Sequence, residues 1–416
     1  METAKKDRIL SNERSVNQQS NNKWFYFVAL FGVIIIAANL RAPLTAVGPV
    51  VSEISEELGL TSLWAGMITT IPLIAFALLS GFIPRLSKNT KMETVLFGSL
   101  LVLTFGLFIR QLGFISTLFI GAALVGVAIT VGNVLMPAYI KNNFPTKIGA
   151  VTGIYSVAMN LTAALAAGYS INLGKLTNYG WKGSLGIWIV LSLLACLAWL
   201  PLIRSSKNRT LKEASTENYK NLGTKIYRSK LAWAVTVFMG LQSLLYYCLV
   251  AWLPQVMQTW GMESEKSGWI LSYVQFAQLP MTFLGAVIAS KMKNQKPLAA
   301  VVGILFMVGL LGIIIFKTQY ILLWCICIGT ASGLAFSLSM LFFVLRTSRT
   351  QHAAELSAMA QSFGYFIAAF GPPIFGALFD GFNSWTPSLM LLLVLSVVLL
   401  IAGLISGQRK TIKTNL

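Results

Sequence analysis

Charged residues are scarce in this sequence. Only 11% of its 416 residues are charged and 56% are hydrophobic, whereas a soluble protein carries roughly 25% charged residues. So few charges cannot cover a water-facing surface. The composition therefore excludes soluble domains, a disordered chain and a coiled coil, and it indicates a polytopic membrane protein.

Acidic residues, histidine and cysteine are also few. The chain has 13 Asp and Glu residues and a single histidine, His352, and none of the carboxylates lies in the middle of an apolar stretch. The four cysteines lie within apolar stretches, which excludes an exposed disulfide framework. Without a carboxylate dyad, a histidine cluster or a phosphate-binding glycine loop, we expect no enzyme activity, no metal site and no cofactor.

Long apolar stretches fill the rest of the chain, each able to cross a bilayer as ~20 helical residues. We predict twelve spans: 24–51, 62–84, 93–111, 114–140, 148–171, 184–203, 230–257, 268–290, 297–316, 319–345, 355–379 and 386–406. The predicted fold is an all-α membrane protein with two bundles of six helices. The bundles are 24–203 and 230–406, joined by a linker at 204–229 and flanked by tails at 1–23 and 407–416.

The distribution of positive charge predicts the orientation. If the N-terminus is cytoplasmic, 26 of the 32 Lys and Arg residues lie in cytoplasmic segments and five in outer ones, Arg110 among the latter. This excess predicts that both termini are cytoplasmic. We expect a multi-pass protein of the cell membrane, the inner or plasma membrane of a bacterium. A net charge of +19 is also typical of nucleic-acid binding, but the charges lie between apolar spans, so we expect no nucleic-acid partner.

A weak internal repeat relates the two bundles. Pro49 and Pro254 are 205 residues apart, as are Trp64 and Trp269, while Gly81 and Gly285 are 204 apart. Each pair occupies the same place in its bundle. This spacing favours duplicated halves related by an axis along the membrane normal.

Arg41 is the strongest candidate for a functional residue. An arginine in an apolar span costs ~2.5–3.5 kcal/mol on insertion scales, so it normally faces a cavity or a partner. There it would be a fixed cation that attracts an anion or a polar solute. The alternative is structural: an arginine bound to helix carbonyls, or one that extends toward the interface. Nearby Pro43, Gly48 and Pro49 are expected to break the helix beside it.

Neutral polar and aromatic residues recur at mid-depth in the other spans. Any one of them could simply form a hydrogen bond between helices, worth perhaps ~0.6 kcal/mol. Taken together with Arg41, they predict a pocket with one charge, many hydrogen bonds and aromatic walls for a planar solute. The predicted substrate-binding residues besides Arg41 are Asn39, Asn133, Tyr155, Gln242, Tyr246, Gln275, Gln361 and Tyr365.

Four stretches carry a resemblance to a known family. They are Asn39-Leu-Arg41-Ala-Pro43 with Gly48-Pro49, Gly132-Asn133-Val-Leu-Met-Pro137, Gly240-Leu-Gln242 with Tyr246-Tyr247, and Gln361-Ser-Phe-Gly364-Tyr365. Together they resemble the major facilitator superfamily, and more narrowly its cyanate/2-nitroimidazole porter branch (the CynX/NimT family). The resemblance implies the twelve-helix major facilitator fold and alternating access around a central cavity.

The predicted function is a secondary transporter that moves a small polar or weakly anionic solute, cyanate-like or nitroimidazole-like, as a monomer in the lipid bilayer. The alternative is a multidrug or other small-molecule efflux carrier of the same superfamily. Drug antiporters often carry a Gly-Pro pair in helix five, and the fifth span here has no proline. Without a mid-depth carboxylate, a coupled proton would travel on the solute or use Glu355 or His352. Facilitated diffusion and exchange are also open.

Overall fold

The structure is a computed structural model that describes residues 24, 26–83, 86, 90–144, 147–205, 226–347 and 350–412. The predicted tail at 1–23 and most of the predicted linker at 204–229 lie outside these ranges, so both assignments stay predictions.

Twelve helical spans, numbered α1–α12, make up most of the described chain, and each is long and apolar enough to cross a membrane. Their number confirms the predicted twelve-helix fold. They are α1 Tyr26–Thr45 continued by Val47–Leu58, α2 Ser62–Leu79, α3 Met92–Ile109, α4 Ile115–Asn143, α5 Ile148–Thr177, α6 Gly180–Ser205, α7 Lys230–Thr259, α8 Ser264–Lys291, α9 Lys296–Phe316, α10 Ile321–Leu345, α11 Thr350–Ala369 continued by Gly371–Phe382, and α12 Thr386–Ser406.

Helix α1 is interrupted by a turn at Ala46, within the stretch where a break was predicted. Pro49 has no N–H, so the carbonyl of Thr45 loses its helical partner. Side chains of the following helices bond the other carbonyls around the turn: Arg110 Nη1 donates to the Pro43 carbonyl at 2.9 Å and Ser170 Oγ to the Ala46 carbonyl at 2.7 Å. The backbone beyond Arg41 is therefore anchored from two sides.

Arg110 itself lies elsewhere than the sequence suggested. It was counted among the outer loop charges, but its side chain is only 2% exposed and turns inward to the break in α1. The apolar run of α3 ends one residue earlier, at Ile109, so nothing in the linear sequence distinguishes this arginine from a loop residue.

The internal repeat is visible in the backbone as well as in the sequence. Asn178 and Asn383 are 205 residues apart, and both end their helices, α5 and α11, in the left-handed conformation, with φ of 58° and 50°. Asparagine is one of the few residues that adopts this conformation readily after a helix. The matching helix ends support the duplication of the two halves.

The two halves meet tightly at one end of the molecule. We call it the closed end, defined by the loops at 59–61, 178–179, 260–263 and 383–385; the opposite end, near Tyr26 and Ser406, is the terminal end. Gly48 packs against the Val250 carbonyl with no room for a Cβ atom, so α1 and α7 touch backbone to backbone. Helices α2 and α11, and likewise α5 and α8, make similar close contacts at this end.

Polar contacts between the halves are also found at this end. The Asp380 carboxylate of α11 accepts the backbone N–H groups of Ser62 and Leu63, at 3.1 and 3.0 Å, and so caps the start of α2. Glu265 of α8 accepts hydrogen bonds from Asn172 and Lys175 of α5. A carboxylate at a helix N-terminus is favourable because the helix dipole is positive there. These contacts hold the closed end shut.

Candidate functional site

Arg41 lies near the middle of the bilayer-spanning part of the molecule. It is fifteen residues, about 22 Å at about 1.5 Å per residue, along α1 from Tyr26 at the terminal end. Its side chain is half-buried. Nη1 donates to Asn160 Oδ1 of α5 at 2.6 Å, and the Asn160 Nδ2 group donates to the Ser156 carbonyl at 2.9 Å. The guanidinium therefore has a fixed orientation but only a neutral hydrogen-bond partner.

Aromatic rings surround the guanidinium. Arg41 Cζ lies 5.0 Å from the centre of the Tyr246 ring of α7 and 5.8 Å from that of Phe336 of α10. Rings at this distance attract a cation through their negative faces. The hydroxyls of Tyr155, Tyr247 and Tyr365 are also close enough to interact electrostatically with Arg41. Five helices, α1, α5, α7, α10 and α11, thus contribute to one aromatic pocket, which we call the Arg41 pocket.

A buried amide fixes the tyrosine nearest to the charge. Gln275 of α8 is fully buried, and its Nε2 group donates to the Tyr246 hydroxyl at 2.9 Å. The second contact, from the hydroxyl back to Gln275 Oε1, is 3.3 Å long. This pair holds the Tyr246 ring in place beside Arg41, because a bonded hydroxyl restricts rotation of the ring.

The internal repeat relates the central residues of the pocket to one another. Arg41 and Tyr246 are 205 residues apart, and so are Asn160 and Tyr365. The same two positions thus carry a cation and its amide partner in the first half and two phenols in the second. The two halves therefore place residues at equivalent positions but differ in residue type there, so the pocket is asymmetric.

Carboxylates are not among the groups that contact Arg41 in the described part of the chain. The ion pairs found there are Lys175–Glu265, Lys182–Glu57 and Lys266–Glu263, all at the closed end. A cation with neutral partners in a site of low polarity retains its attraction for an anion. These groups together offer a charge, hydrogen-bond donors and ring faces, which are the contacts that suit a planar anion.

Asn133 of α4 lies at the depth of Arg41. Its neighbour Gly132 packs against the side chain of Leu40, the residue that precedes Arg41. Asn133 is half-buried, which fits a side chain on the wall of the pocket. Its role in binding stays a prediction.

Asn39 is placed differently from the other predicted site residues. It is fully buried, and its Nδ2 group donates to the carbonyls of Ile35, at 2.8 Å, and Leu191 of α6, at 3.3 Å. It thus joins α1 to α6 within the first half. Being two residues from Arg41, it points to a different side of α1.

Gln242 and Gln361 lie one helical turn from Tyr246 and Tyr365, toward the terminal end. Gln242 donates to the Ser243 hydroxyl at 2.7 Å, and Gln361 donates to the Ser357 hydroxyl at 2.9 Å. Both bonds stay within one helix, so both amides can exchange these partners for a solute that approaches from the terminal end.

Three residues around Arg41 are not among the predicted substrate-binding residues: Asn160, Tyr247 and Phe336. Asn160 carries a signal, since it is an amide in mid-span next to Met159. Tyr247 belongs to one of the motifs that carry the family resemblance, but it adjoins Tyr246 and so projects from a different side of α7. Phe336 gave no signal, because a phenylalanine in an apolar span is ordinary.

Residues 26–372 match the Major Facilitator Superfamily. An uncharacterized transporter of Bacillus subtilis (strain 168), YycB, is 40% identical over 94% of this chain and 96% of its own length. The 2-nitroimidazole transporter of Escherichia coli (strain K12) is 36% identical over 93% of this chain and 97% of its own length. The cyanate transport protein CynX of Escherichia coli (strain K12) is 27% identical over 84% of this chain and 89% of its own length.

Among solved structures, that of the nucleoside transporter NupG is similar with a TM-score of 0.74. It is 13% identical, and the match covers 91% of this chain and 100% of the other. At this identity the likeness concerns the fold.

Proposed function

The chain belongs to the Major Facilitator Superfamily and is a secondary transporter, and from this premise we propose that it carries a small planar solute that is anionic or strongly polar, with Arg41 as the binding cation. The observation that carries the proposal is the Arg41 pocket: a half-buried guanidinium with a neutral amide partner and aromatic neighbours. Cyanate-like and nitroimidazole-like solutes meet this description, and the names of two relatives agree with it.

The conformation favours alternating access with the terminal end open. Among the described residues, the hydrogen bonds between the halves lie from Thr70 of α2 toward the closed end, the Thr70 hydroxyl donating to the Ala369 carbonyl at 2.6 Å. We assign the terminal end to the cytoplasm on the distribution of Lys and Arg. On this assignment, the contacts at the closed end support a state that opens to the cytoplasm. We expect the protein to act as a monomer in the cell membrane.

Coupling to protons has two candidate groups in the described chain. His352 and Glu355 lie one turn apart at the start of α11 and interact electrostatically. They lie at the terminal end, more than two turns from Tyr365 along α11, so they do not contact a solute held at Arg41.

The test is transport by purified protein in proteoliposomes. Uptake of cyanate and of 2-nitroimidazole is measured for the wild type and for Arg41→Gln, each with and without a pH gradient. We expect saturable uptake of at least one solute by the wild type and none by the variant. Equal uptake by Arg41→Gln, verified as folded by its melting temperature, would refute the assignment, while a strict need for the gradient that disappears in Glu355→Gln would identify the coupling group.

A further inference from the structure

A cleft between α5 and α8 opens where these two helices separate. Toward the closed end they touch: the Ser272 hydroxyl donates to the Ala164 carbonyl at 2.6 Å, and Gly268 packs on the Ala167 carbonyl. One turn closer to the terminal end, from Leu161 onward, they enclose a cavity of about 770 Å³. This volume is within the range of about 300–1,000 Å³ typical of small-molecule sites.

The lining of the cleft is mainly apolar. Ile154 and Val157 on α5 and Phe283 and Val287 on α8 face it, with exposed fractions of 37–62%. A Cβ atom added to Gly153, which also lines it, meets no atom within 4 Å. The cleft therefore has room for an apolar group of several carbon atoms.

The cleft and the Arg41 pocket share a residue. Asn160 lines the inner end of the cleft, and its Oδ1 atom accepts the hydrogen bond from Arg41. Only the Asn160 side chain thus lies between an anionic group at the guanidinium and the apolar cleft. The shared residue places an apolar cleft directly beside the candidate anion site, an arrangement that suits a solute with an anionic head and an apolar body.

We propose that the cleft between α5 and α8 is an apolar subsite, and that the preferred solutes are planar monoanions bearing an apolar substituent that lies in this cleft. The inference rests on the proposed function, since the head of the solute must bind Arg41. It adds a specificity determinant to that function: Arg41 selects the anionic head of the solute, and the walls of the cleft select its apolar substituent, the tail.

The experiment measures the affinity of a series of probes for the protein in lipid nanodiscs. The probes are benzoate, 4-ethylbenzoate and 4-butylbenzoate, which share one charged head. For the wild type we expect affinity to rise about threefold for each added methylene group that is buried, so that 4-butylbenzoate binds at least about tenfold more tightly than benzoate.

Gly153→Leu fills the cleft and should reduce this ratio to about threefold or less. Gly98→Leu is the matched control, because Gly98 of α3 is also a helical glycine with open space around its Cβ position, and it does not line the cleft. It should keep the wild-type ratio. If Gly153→Leu does not fold, Val157→Trp narrows the same cleft from a side chain that already faces it.

Three further results overturn the inference in distinguishable ways. If the affinities rise equally in the wild type and both cleft variants, the tail binds elsewhere or partitions into lipid, and the proposed binding at Arg41 survives. If no probe binds the wild type, the subsite is refuted, while the proposed function is still decided by the uptake of cyanate and 2-nitroimidazole. If Arg41→Gln binds benzoate as the wild type does, binding at Arg41 fails and the subsite fails with it.

Discussion

Residues of both halves meet in the Arg41 pocket and at the closed end, but the charged groups of these two regions have different partners. At the closed end, Glu57 is bonded by Lys182 at 2.5 Å, Glu265 by Lys175, and Asp380 by two backbone N–H groups. In the pocket, Arg41 is met by an amide and by aromatic rings. The carboxylates at the closed end are bonded by lysines or by backbone N–H groups, whereas the Arg41 cation at mid-depth has only neutral neighbours and retains its attraction for an anion.

Giving Arg41 an internal counter-ion should have the largest effect. Asn160→Asp keeps the shape of the side chain and places a carboxylate about 3 Å from the guanidinium. A unit charge at ~4 Å in a medium of effective dielectric ~20 contributes ~4 kcal/mol, so we expect anion binding at least about 100-fold weaker. Isothermal titration with benzoate measures it.

Asn160→Ala is the control for that substitution, since it removes the hydrogen bond without adding charge. We expect only a loss of about three- to tenfold, in line with one hydrogen bond to a charged group that reorients. Equal losses in the two variants would show that the geometry of Asn160 matters and the charge balance does not.

The aromatic wall should contribute less than the charge. Tyr246→Ala removes the ring over Arg41, and a cation–ring contact is worth about 0.5–2 kcal/mol, so anion affinity should fall about tenfold. Tyr246→Phe keeps the ring and loses only the bond to Gln275, so a loss of about threefold is expected. If Tyr246→Phe were as damaging as Tyr246→Ala, the hydroxyl and not the ring would be the binding element.

Removing a charge at the closed end should shift the conformational balance modestly. Asp380→Asn weakens the cap on α2, and loss of a cap costs about 1 kcal/mol, so the fraction of molecules open at this end should rise about fivefold. Spin labels at Leu176 and Tyr320, which are exposed on the two halves, report the opening as a distance distribution.

Glu263→Gln is the matched control for Asp380→Asn. It removes a carboxylate at the same end whose ion pair, with Lys266, stays within one half. We expect the wild-type distribution from this variant. An unchanged distribution for Asp380→Asn would mean that the cap does not hold the halves together.

The smallest expected effect concerns the exposed pair at the closed end. The hydrogen bond from Lys182 holds the pKa of Glu57 below its ordinary value of 4.5. A carboxylate with a lowered folded pKa stabilises the protein above its unfolded pKa, and this contribution is lost as the pH falls through the folded pKa. Glu57→Gln should therefore lower the melting temperature slightly at pH 7, and this difference should shrink as the pH falls below 4.5 and through the folded pKa. A difference that does not shrink with falling pH would contradict this ion-pair account.

The number of helices could be predicted from the sequence, because the bilayer determines how long and how apolar each span must be. A span must bury about twenty apolar residues, so the number of helices follows from hydropathy, and the family predicted from four motifs is confirmed by the match over residues 26–372. Arg41 was identified for the same reason, since a charge in an apolar span is conspicuous.

Two neighbours of Arg41, Asn160 and Phe336, could not be predicted, because they depend on which helix faces come together. Asn160 and Phe336 reach Arg41 from α5 and α10, more than a hundred residues away in sequence. Asn39 and Asn160 are both amides in mid-span, yet Asn39 faces α6. Residue type and depth are readable from the sequence, whereas rotation of a helix about its axis is set by packing.

The central claim is that the uncompensated charge of Arg41 selects the solute. The most direct test is the affinity of benzoate and of benzamide, its neutral isostere, for the wild type and for Arg41→Gln. We predict that the wild type binds benzoate at least about tenfold more tightly, as expected for a charge-assisted contact, and that the variant binds the two within about twofold. A wild type that does not discriminate, or a variant that still does, would contradict the account.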